Sequence, residues 1–219
     1  MSEWWEYENL KPAPEGGFDW SPATRGNHPH DQIDFHVDLG CGTVPKARLG
    51  IDRYGDVDIK MNLDTGITYE AKGPLAEGYE FPYYQGLPFP DNSIKSIISH
   101  HCLEHIGYGF IRLMDESFRV LESGGVFRII VPLFPSFTAI EDPDHCRYFC
   151  RNSFESFVHE AGPETPFWTE SFSVPYTKAR FRLLAKDYTR AKTFNNGTPI
   201  DIDALFEEPR EIRVTLGKP

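Results

Sequence analysis

Three groups of residues in this chain have the types and spacing to do chemistry. The first is Asp38-Leu39-Gly40-Cys41-Gly42, followed ten residues later by Asp52. Glycines let the backbone turn sharply and bring the main chain close to a ligand. A carboxylate ending the next strand is placed to accept two hydrogen bonds from the hydroxyls of a ribose. The second is the histidine-rich string Ser99-His100-His101-Cys102-Leu103-Glu104-His105. The third is Asp142-Pro143-Asp144-His145-Cys146-Arg147, with Cys150 beyond it. Imidazoles titrate near working pH, so His101, His105 and His145 are candidates to take a proton. His101-x-x-Glu104-His105 also matches a zinc-protease string, and His145 with Cys146 and Cys150 is a conceivable metal set. Neither is adopted. The flanking elements are wrong for the protease, the cysteine spacing fits no zinc pair or disulfide framework, and free cysteines are usually just packed. No metal site is therefore expected.

These groups need a scaffold. Ile33 to Leu39 reads as a buried strand entering the glycine turn, and Leu49 to Asp52 as a second strand. Ile94 to Ser99 is a third, entered through Pro90-Asp91-Asn92-Ser93. A helix is expected from about Arg112 to Leu121, with Leu113, Phe118 and Leu121 roughly on one face and Gly124-Gly125 stopping it. Val126 to Val131 is the most apolar strand and ends at Pro132. Asn152 to Ala161 reads as a helix, and Arg180 to Lys186 and Glu211 to Leu216 as late strands. Strand, turn, strand, helix, strand is the alternation of an α/β domain with a mainly parallel sheet. Ligands of such sheets sit beyond the carboxyl ends of the strands, where the chemistry-bearing residues fall.

Composition narrows the options further. The chain has 219 residues, enough for one large core. With 22 Lys and Arg against 33 Asp and Glu, its net charge of -11 argues against a general nucleic-acid or anionic-membrane binder. No apolar run approaches the length of about 20 residues that a membrane helix needs. The N-terminus has neither a basic region nor an apolar one that would make a secretory signal, so a cytoplasmic location is expected. Residues 1–30, rich in proline and glycine and carrying Trp4, Trp5, Phe18 and Trp20, read as an arm. Residues 31–219 read as one domain, with a core at 33–132 and acceptor-side elements at 133–219.

Three blocks in order carry a resemblance: Asp38-x-Gly40-Cys41-Gly42, Leu87-Pro88-Phe89-Pro90-Asp91-Asn92-Ser93 with Leu103-Glu104-His105, and Arg119-Val120-Leu121-Glu122-Ser123-Gly124-Gly125. Together they resemble class I S-adenosylmethionine-dependent methyltransferases, and the loop Asp142–Phe149 with Asn152-Ser153-Phe154 is similar to a small type-11-like subgroup. The resemblance implies a Rossmann-like, mostly parallel seven-stranded sheet with helices on both faces and a C-terminal antiparallel hairpin. It implies S-adenosylmethionine as cofactor. Asp38 would lie near the methionine amino group. Gly40, Cys41 and Gly42 would present backbone to the cofactor, and Asp52 would hold the ribose. Asn62 and Leu63 would lie by the adenine, with Gln85 an alternative contact, and Ser99 and His100 would face the methionine part.

The implied activity is methyl transfer to a hydroxyl or carboxylate of a small-molecule or glycan-type acceptor, with His101 and His145 as the catalytic candidates. Arg147, Arg151, Lys178, Arg180 and Arg182 are candidate contacts for an anionic acceptor or simply solvated charge. A non-catalytic methyltransferase-like module is the alternative, since Val44-Pro45 replaces the usual third-glycine region, Lys95 replaces an expected Asp, and residues 65–86 look like an insertion. An NAD oxidoreductase is disfavoured: Pro45 stands where the dinucleotide fingerprint has its third glycine, and Asp52 comes too soon after the turn. Neither a nucleic-acid nor a membrane partner is expected. The strand-end sequence Ser99-His100-His101-Cys102 lacks the motifs of nucleic-acid methyltransferases. Oligomeric state is not legible.

Overall fold

In the computed structural model, placement is described for residues 36–43, 45–72, 80–82, 86–159, 177–189 and 210–219. The expected N-terminal arm, Val44 and Gln85 lie outside these residues. Eight strands form one sheet: β1 (Val37–Leu39), β2 (Leu49–Asp52), β3 (Ile59–Asn62), β4 (Ile67–Ala71), β5 (Ile94–His100), β6 (Leu121–Pro132), β7 (Arg182–Thr189) and β8 (Glu211–Gly217). Their spatial order is β4-β3-β2-β1-β5-β6-β8-β7. Strands β3, β2, β1, β5 and β6 run parallel, and β4, β8 and β7 pair antiparallel. The late hairpin is β7 with β8, as expected.

The seven strands expected are thus eight. The extra one, β4, comes from the stretch read as an insertion. Asn62 Oδ1 accepts the amides of Asp64 and Thr65, Gly66 takes a φ of +74°, and the chain returns along β3 with Asn62 opposite Ile67 and Ile59 opposite Ala71.

Side-chain alternation gives the sheet one apolar face. Val37, Leu39, Leu49, Ile51, Ile59, Ile97, Phe127, Ile129, Val131, Ile212, Val214 and Leu216 are all buried on it. Helix α1 (Phe110–Val120) covers this face with Phe110, Leu113, Met114, Ser117 and Val120, the spacing of one helical stripe. Both ends of α1 are capped from elsewhere in the chain. At its start the Asp64 carboxylate accepts the Gly109 amide at 2.7 Å. At its end the Lys218 ammonium donates to the carbonyls of Phe118, Arg119 and Leu121. A negative group at the N-terminus and a cation at the C-terminus both suit the helix dipole.

The helix therefore stops at Val120, and Gly124-Gly125 lies inside β6 instead of ending α1. The helix expected at Asn152–Ala161 is, within the described residues, a single 3-10 turn at Glu155–Phe157. Phe157 and His159 leave it to pair with Phe181 through backbone hydrogen bonds, which draws the chain into an extended path. Phe149, Phe154 and Phe157 pack against Phe110 of α1, with ring centroids 5.6, 6.4 and 5.6 Å away.

Candidate functional site

Strands β3, β2, β1 and β5 end side by side, and their carboxyl ends carry Asn62, Asp52, Leu39 and His100. Connections leave β1 toward β2 on one side and reach β5 on the other, so this edge holds a topological switch point, where open α/β sheets bind ligands. The glycine turn sits there. The amides of Gly40 and Cys41 both donate to the Ile51 carbonyl, and Gly42 donates to Asp52 Oδ2 at 2.8 Å. The other Asp52 oxygen accepts Tyr54 N–H. Asp38, fully buried, accepts the Lys46 amide at 2.6 Å.

The two glycines of the turn differ in what they face. Both have positive φ, +71° at Gly40 and +61° at Gly42. A Cβ on Gly40 would lie 2.2 Å from Cys102 Sγ, whereas one on Gly42 would meet nothing within 4 Å. Gly40 permits close packing of the turn on the β5 end. Gly42 fronts open space beside the Asp52 carboxylate. Pro45 packs over Gly50, whose Cβ would lie 2.6 Å from the proline ring, which explains the short, third-glycine-free connection. Cys41 is buried, and burial, reinforced by the Asp38 and Asp52 carboxylates, pushes its thiol pKa up to about 12.

The Leu87–Asp91 loop is held by α1. Arg119 donates to the carbonyls of Leu87 and Phe89, to Asp91, and through two nitrogens to Glu116. Glu116 in turn accepts the Leu87 amide. The Leu87–Asp91 part of the second sequence block and Arg119 of the third are thus two halves of one structural joint.

Beyond β5 the chain makes a left-handed step at His101, φ +52°, and a 3-10 turn over Leu103–His105. The His101 amide donates to Ile130 of β6. Its ring bridges two carboxylates, with Nδ1 3.3 Å from Glu104 Oε1 and Nε2 3.1 Å from Glu211 Oε1. Burial alone would lower the His101 pKa, but hydrogen bonding to Glu104 and Glu211 outweighs it and holds the value up at about 9. The 141–147 loop folds back onto this turn. The amides of Cys146 and Arg147 both donate to the Glu104 carbonyl, and Arg147 donates to the carbonyls of Ile106 and Gly107. This fold-back puts the His145 ring 4.8 Å from that of His105 and its Nε2 4.0 Å from Glu104 Oε1.

Residues 37–129 match a family model described as a methyltransferase domain, of type 11. Over those residues the chain carries a methyltransferase domain of this type. No curated protein matches the methyltransferase. Among solved structures it is similar to a SAM-dependent methyltransferase from Archaeoglobus fulgidus, at 14% identity over 85% of this chain and 87% of that one, TM-score 0.46. It is also similar to a SAM-dependent methyltransferase from Thermotoga maritima titled a possible histamine N-methyltransferase (11% identity, 85% and 83% covered, TM-score 0.45). A third is from Methanosarcina mazei (16% identity, 85% and 93% covered, TM-score 0.44). None of these likenesses bears on the acceptor.

The cofactor of the methyltransferase is S-adenosylmethionine, and the carboxyl edge fits it in kind. Gly42 is open on the side beside the Asp52 carboxylate, where no side chain stands between a ligand and the backbone. The expected cofactor residues gather on this edge, but they are not equally presented. Asp38, Gly40, Cys41, Gly42 and Asp52 form the turn itself. Asn62 ends β3, with its side-chain oxygen engaged in the following turn, and Leu63 is buried. Ser99 is fully buried and donates to the Leu39 carbonyl, while His100 is partly exposed and stacks edge-on against His101 at 4.6 Å.

Of the catalytic candidates, His101 is tied at both nitrogens. His145 donates from Nδ1 to the Ala139 carbonyl, 3.1 Å away. Of the candidate anion contacts, Arg147 is engaged with backbone carbonyls and lies over the Phe110 ring; Arg180 donates to the carbonyls of Thr177 and Ala179. Glu104 and Glu211 were not singled out from the sequence. Glu211 lies 110 residues from His101 and gives no local signal. Glu104 sits inside the H-x-x-E-H string, which did carry one. Among the described residues no helix is long and apolar enough to cross a membrane.

Proposed function

We propose that this methyltransferase transfers a methyl group to a hydroxyl or carboxylate of a small-molecule or glycan-type acceptor. The observation supporting the reading is the adjacency of two groups at the carboxyl edge: the glycine turn with Asp52 at the ends of β1 and β2, and the His101–Glu104–His145 cluster beyond β5. We assign Asp38, Gly40, Cys41, Gly42, Asp52, Asn62, Leu63 and His100 to the cofactor side, with Ser99 ordering the β1–β5 ends beneath them. S-adenosylmethionine, when bound, supplies a methyl group on a cationic sulfur that needs no further activation.

The residues of the chain then have two tasks. One is to hold the acceptor oxygen in line, for which the fold-back of the 141–147 loop builds the wall. The other is to receive a proton if the acceptor is a hydroxyl. The proton on His145 Nδ1 is fixed by the Ala139 carbonyl, so its Nε2 carries the lone pair that can accept. His101 positions Glu104 and Glu211. The arm at 1–30 and the single domain at 31–219 are part of the same proposal, as is a cytoplasmic enzyme without a nucleic-acid or membrane partner.

The test is twofold. Titration calorimetry with S-adenosylhomocysteine should show one site that Asp52→Ala and Gly42→Val weaken at least about tenfold. A screen with a radiolabelled methyl donor should then label hydroxyl- or carboxylate-bearing sugars and small acids. Labelling confined to nitrogen acceptors or to nucleic acid would overturn the acceptor assignment.

A further inference from the structure

We infer that Glu104, His105 and His145 form a binding site for a divalent first-row transition ion. One ligand atom from each of these residues lies within 4.8 Å of the other two. A tetrahedral ion with bonds of about 2.0–2.2 Å holds its donors about 3.3–3.6 Å apart, so a closure of about 1 Å by side-chain rotation completes the set.

The protonation pattern prepares these groups for a cation. His145 Nδ1 lies 3.1 Å from the Ala139 carbonyl and His105 Nδ1 3.3 Å from the Asp144 carbonyl. A carbonyl only accepts, so each Nδ1 holds the proton and each Nε2 is left with a lone pair. Donation of the second ring nitrogen to a backbone carbonyl is the outer-shell arrangement that orients metal-binding imidazoles. The His145 lone pair points among anions: Glu104 Oε1 and Asp142 Oδ2 are each 4.0 Å from Nε2. Lone pairs and carboxylates facing one another at this range repel unless a cation stands between them.

The second observation is Glu104 itself. Its side chain is 2% exposed, and only Oε1 faces a cationic group, the His101 ring at 3.3 Å. Among the described residues Oε2 meets no donor. A buried carboxylate oxygen without a donor is costly, and an ion beside it offsets that cost. The donor chemistry selects the ion. Two imidazole nitrogens and one carboxylate suit zinc, manganese, iron or cobalt and disfavour calcium and magnesium, which take oxygen ligands. Asp142, half exposed at the rim, is available as a fourth ligand.

The site deepens the acceptor reading, because an ion with an open position polarises an acceptor oxygen and takes the place of proton acceptance at His145 Nε2, whose lone pair it occupies; that consequence rests on the reading, but ion binding does not. The test uses the full chain without an affinity tag, stripped with a chelator and titrated with Zn2+ by calorimetry, and with Co2+ by visible absorption. The expected result is one saturable site per chain and ligand-field bands from bound Co2+. His145→Ala and His105→Ala should each weaken Zn2+ binding more than tenfold, since even outer-shell partners are worth about 10–100-fold. His105 is a third exposed, so its variant keeps the test alive if others fold poorly; far-UV circular dichroism checks each. No saturable site in the wild-type chain, or a loss of tenfold or less in either folded variant, overturns the inference. Zn2+ binding without hydroxyl or carboxylate methylation would count against the acceptor reading alone.

Discussion

Arg119 gives a sharp test of how the motif loops are held. Its guanidinium makes five hydrogen bonds, to Glu116 Oε1 at 2.8 Å and Oε2 at 2.7 Å, Phe89 O at 2.7 Å, Asp91 Oδ1 at 2.8 Å and Leu87 O at 2.8 Å. The side chain is 29% exposed, Glu116 15% and Asp91 70%. Exposed ion pairs contribute about 0–1 kcal/mol, while breaking a buried one costs about 3–5 kcal/mol. Arg119 lies between these limits, and its two carbonyl bonds lose their charged donor, so Arg119→Ala should cost about 2–3 kcal/mol. With a urea slope of about 2–3 kcal/mol/M, the midpoint falls by about 1 M.

Arg119→Lys keeps the charge but not the planar fork that spans Glu116 and the loop, so it should recover less than half of the loss. Asp91→Ala should change stability by no more than about 0.5 kcal/mol, since that pair is exposed. Equilibrium urea unfolding followed by far-UV circular dichroism reads all three. An Arg119→Ala cost under about 0.5 kcal/mol, or full rescue by lysine, would refute the claim that a bidentate, half-buried joint fixes the loop.

Two further outcomes are expected. His36 is buried and accepts the Lys95 amide at Nδ1; burial, then Arg48 and Lys95, lower its pKa from 6.5 to about 3. The unfolded chain therefore takes up a proton below pH 6.5 that the folded one refuses, so the stability this group contributes is complete above pH 6.5 and is lost as pH falls. His36→Gln should reduce the loss of unfolding free energy between pH 7 and pH 5 by about 2 kcal/mol; urea titrations at the two pH values that give parallel losses would refute it. Cys41 and Cys102 are buried with raised thiol pKa values, whereas Cys146 and Cys150 are exposed. A chromogenic disulfide reagent should accordingly find two fast thiols in the native protein and the other two only after unfolding.

Much of this architecture was legible because it is local. β2 matched its expected bounds, and β5 and β8 each differed by one residue, since alternating or continuous apolar runs between turn residues report burial directly. α1 starts two residues before its expected start, because its cap, Asp64, lies 45 residues away and Gly109 caps nothing by itself. Its end falls within one residue of the expected one, but the stop is Lys218, a cation from the last strand's side, and not Gly124-Gly125. β4 was hidden in a stretch rich in glycine and tyrosine whose only reason to be a strand is the free edge of β3.

The glycine turn and Asp52 were readable from spacing. What was not readable is the difference between Gly40, packed on Cys102, and Gly42, open to solvent. The histidine cluster was only half visible. His101 and His145 could be picked out by type, but it takes the fold-back of the 141–147 loop onto the Glu104 carbonyl to show that they share one carboxylate.

The position of β8 bears on how the chain reaches this state. β8 lies between β6 and β7, so β6 gains its second neighbour only when residues 211–217 return across about 80 residues of chain. Loop closure on that scale is slow, and topologies rich in such pairings fold slowly. Until it happens, the run Val126–Val131 is a bare apolar edge, the kind of segment that pairs with other chains. Expression yield and aggregation should thus depend on how fast the β7–β8 hairpin docks, more than on the stability of the finished sheet.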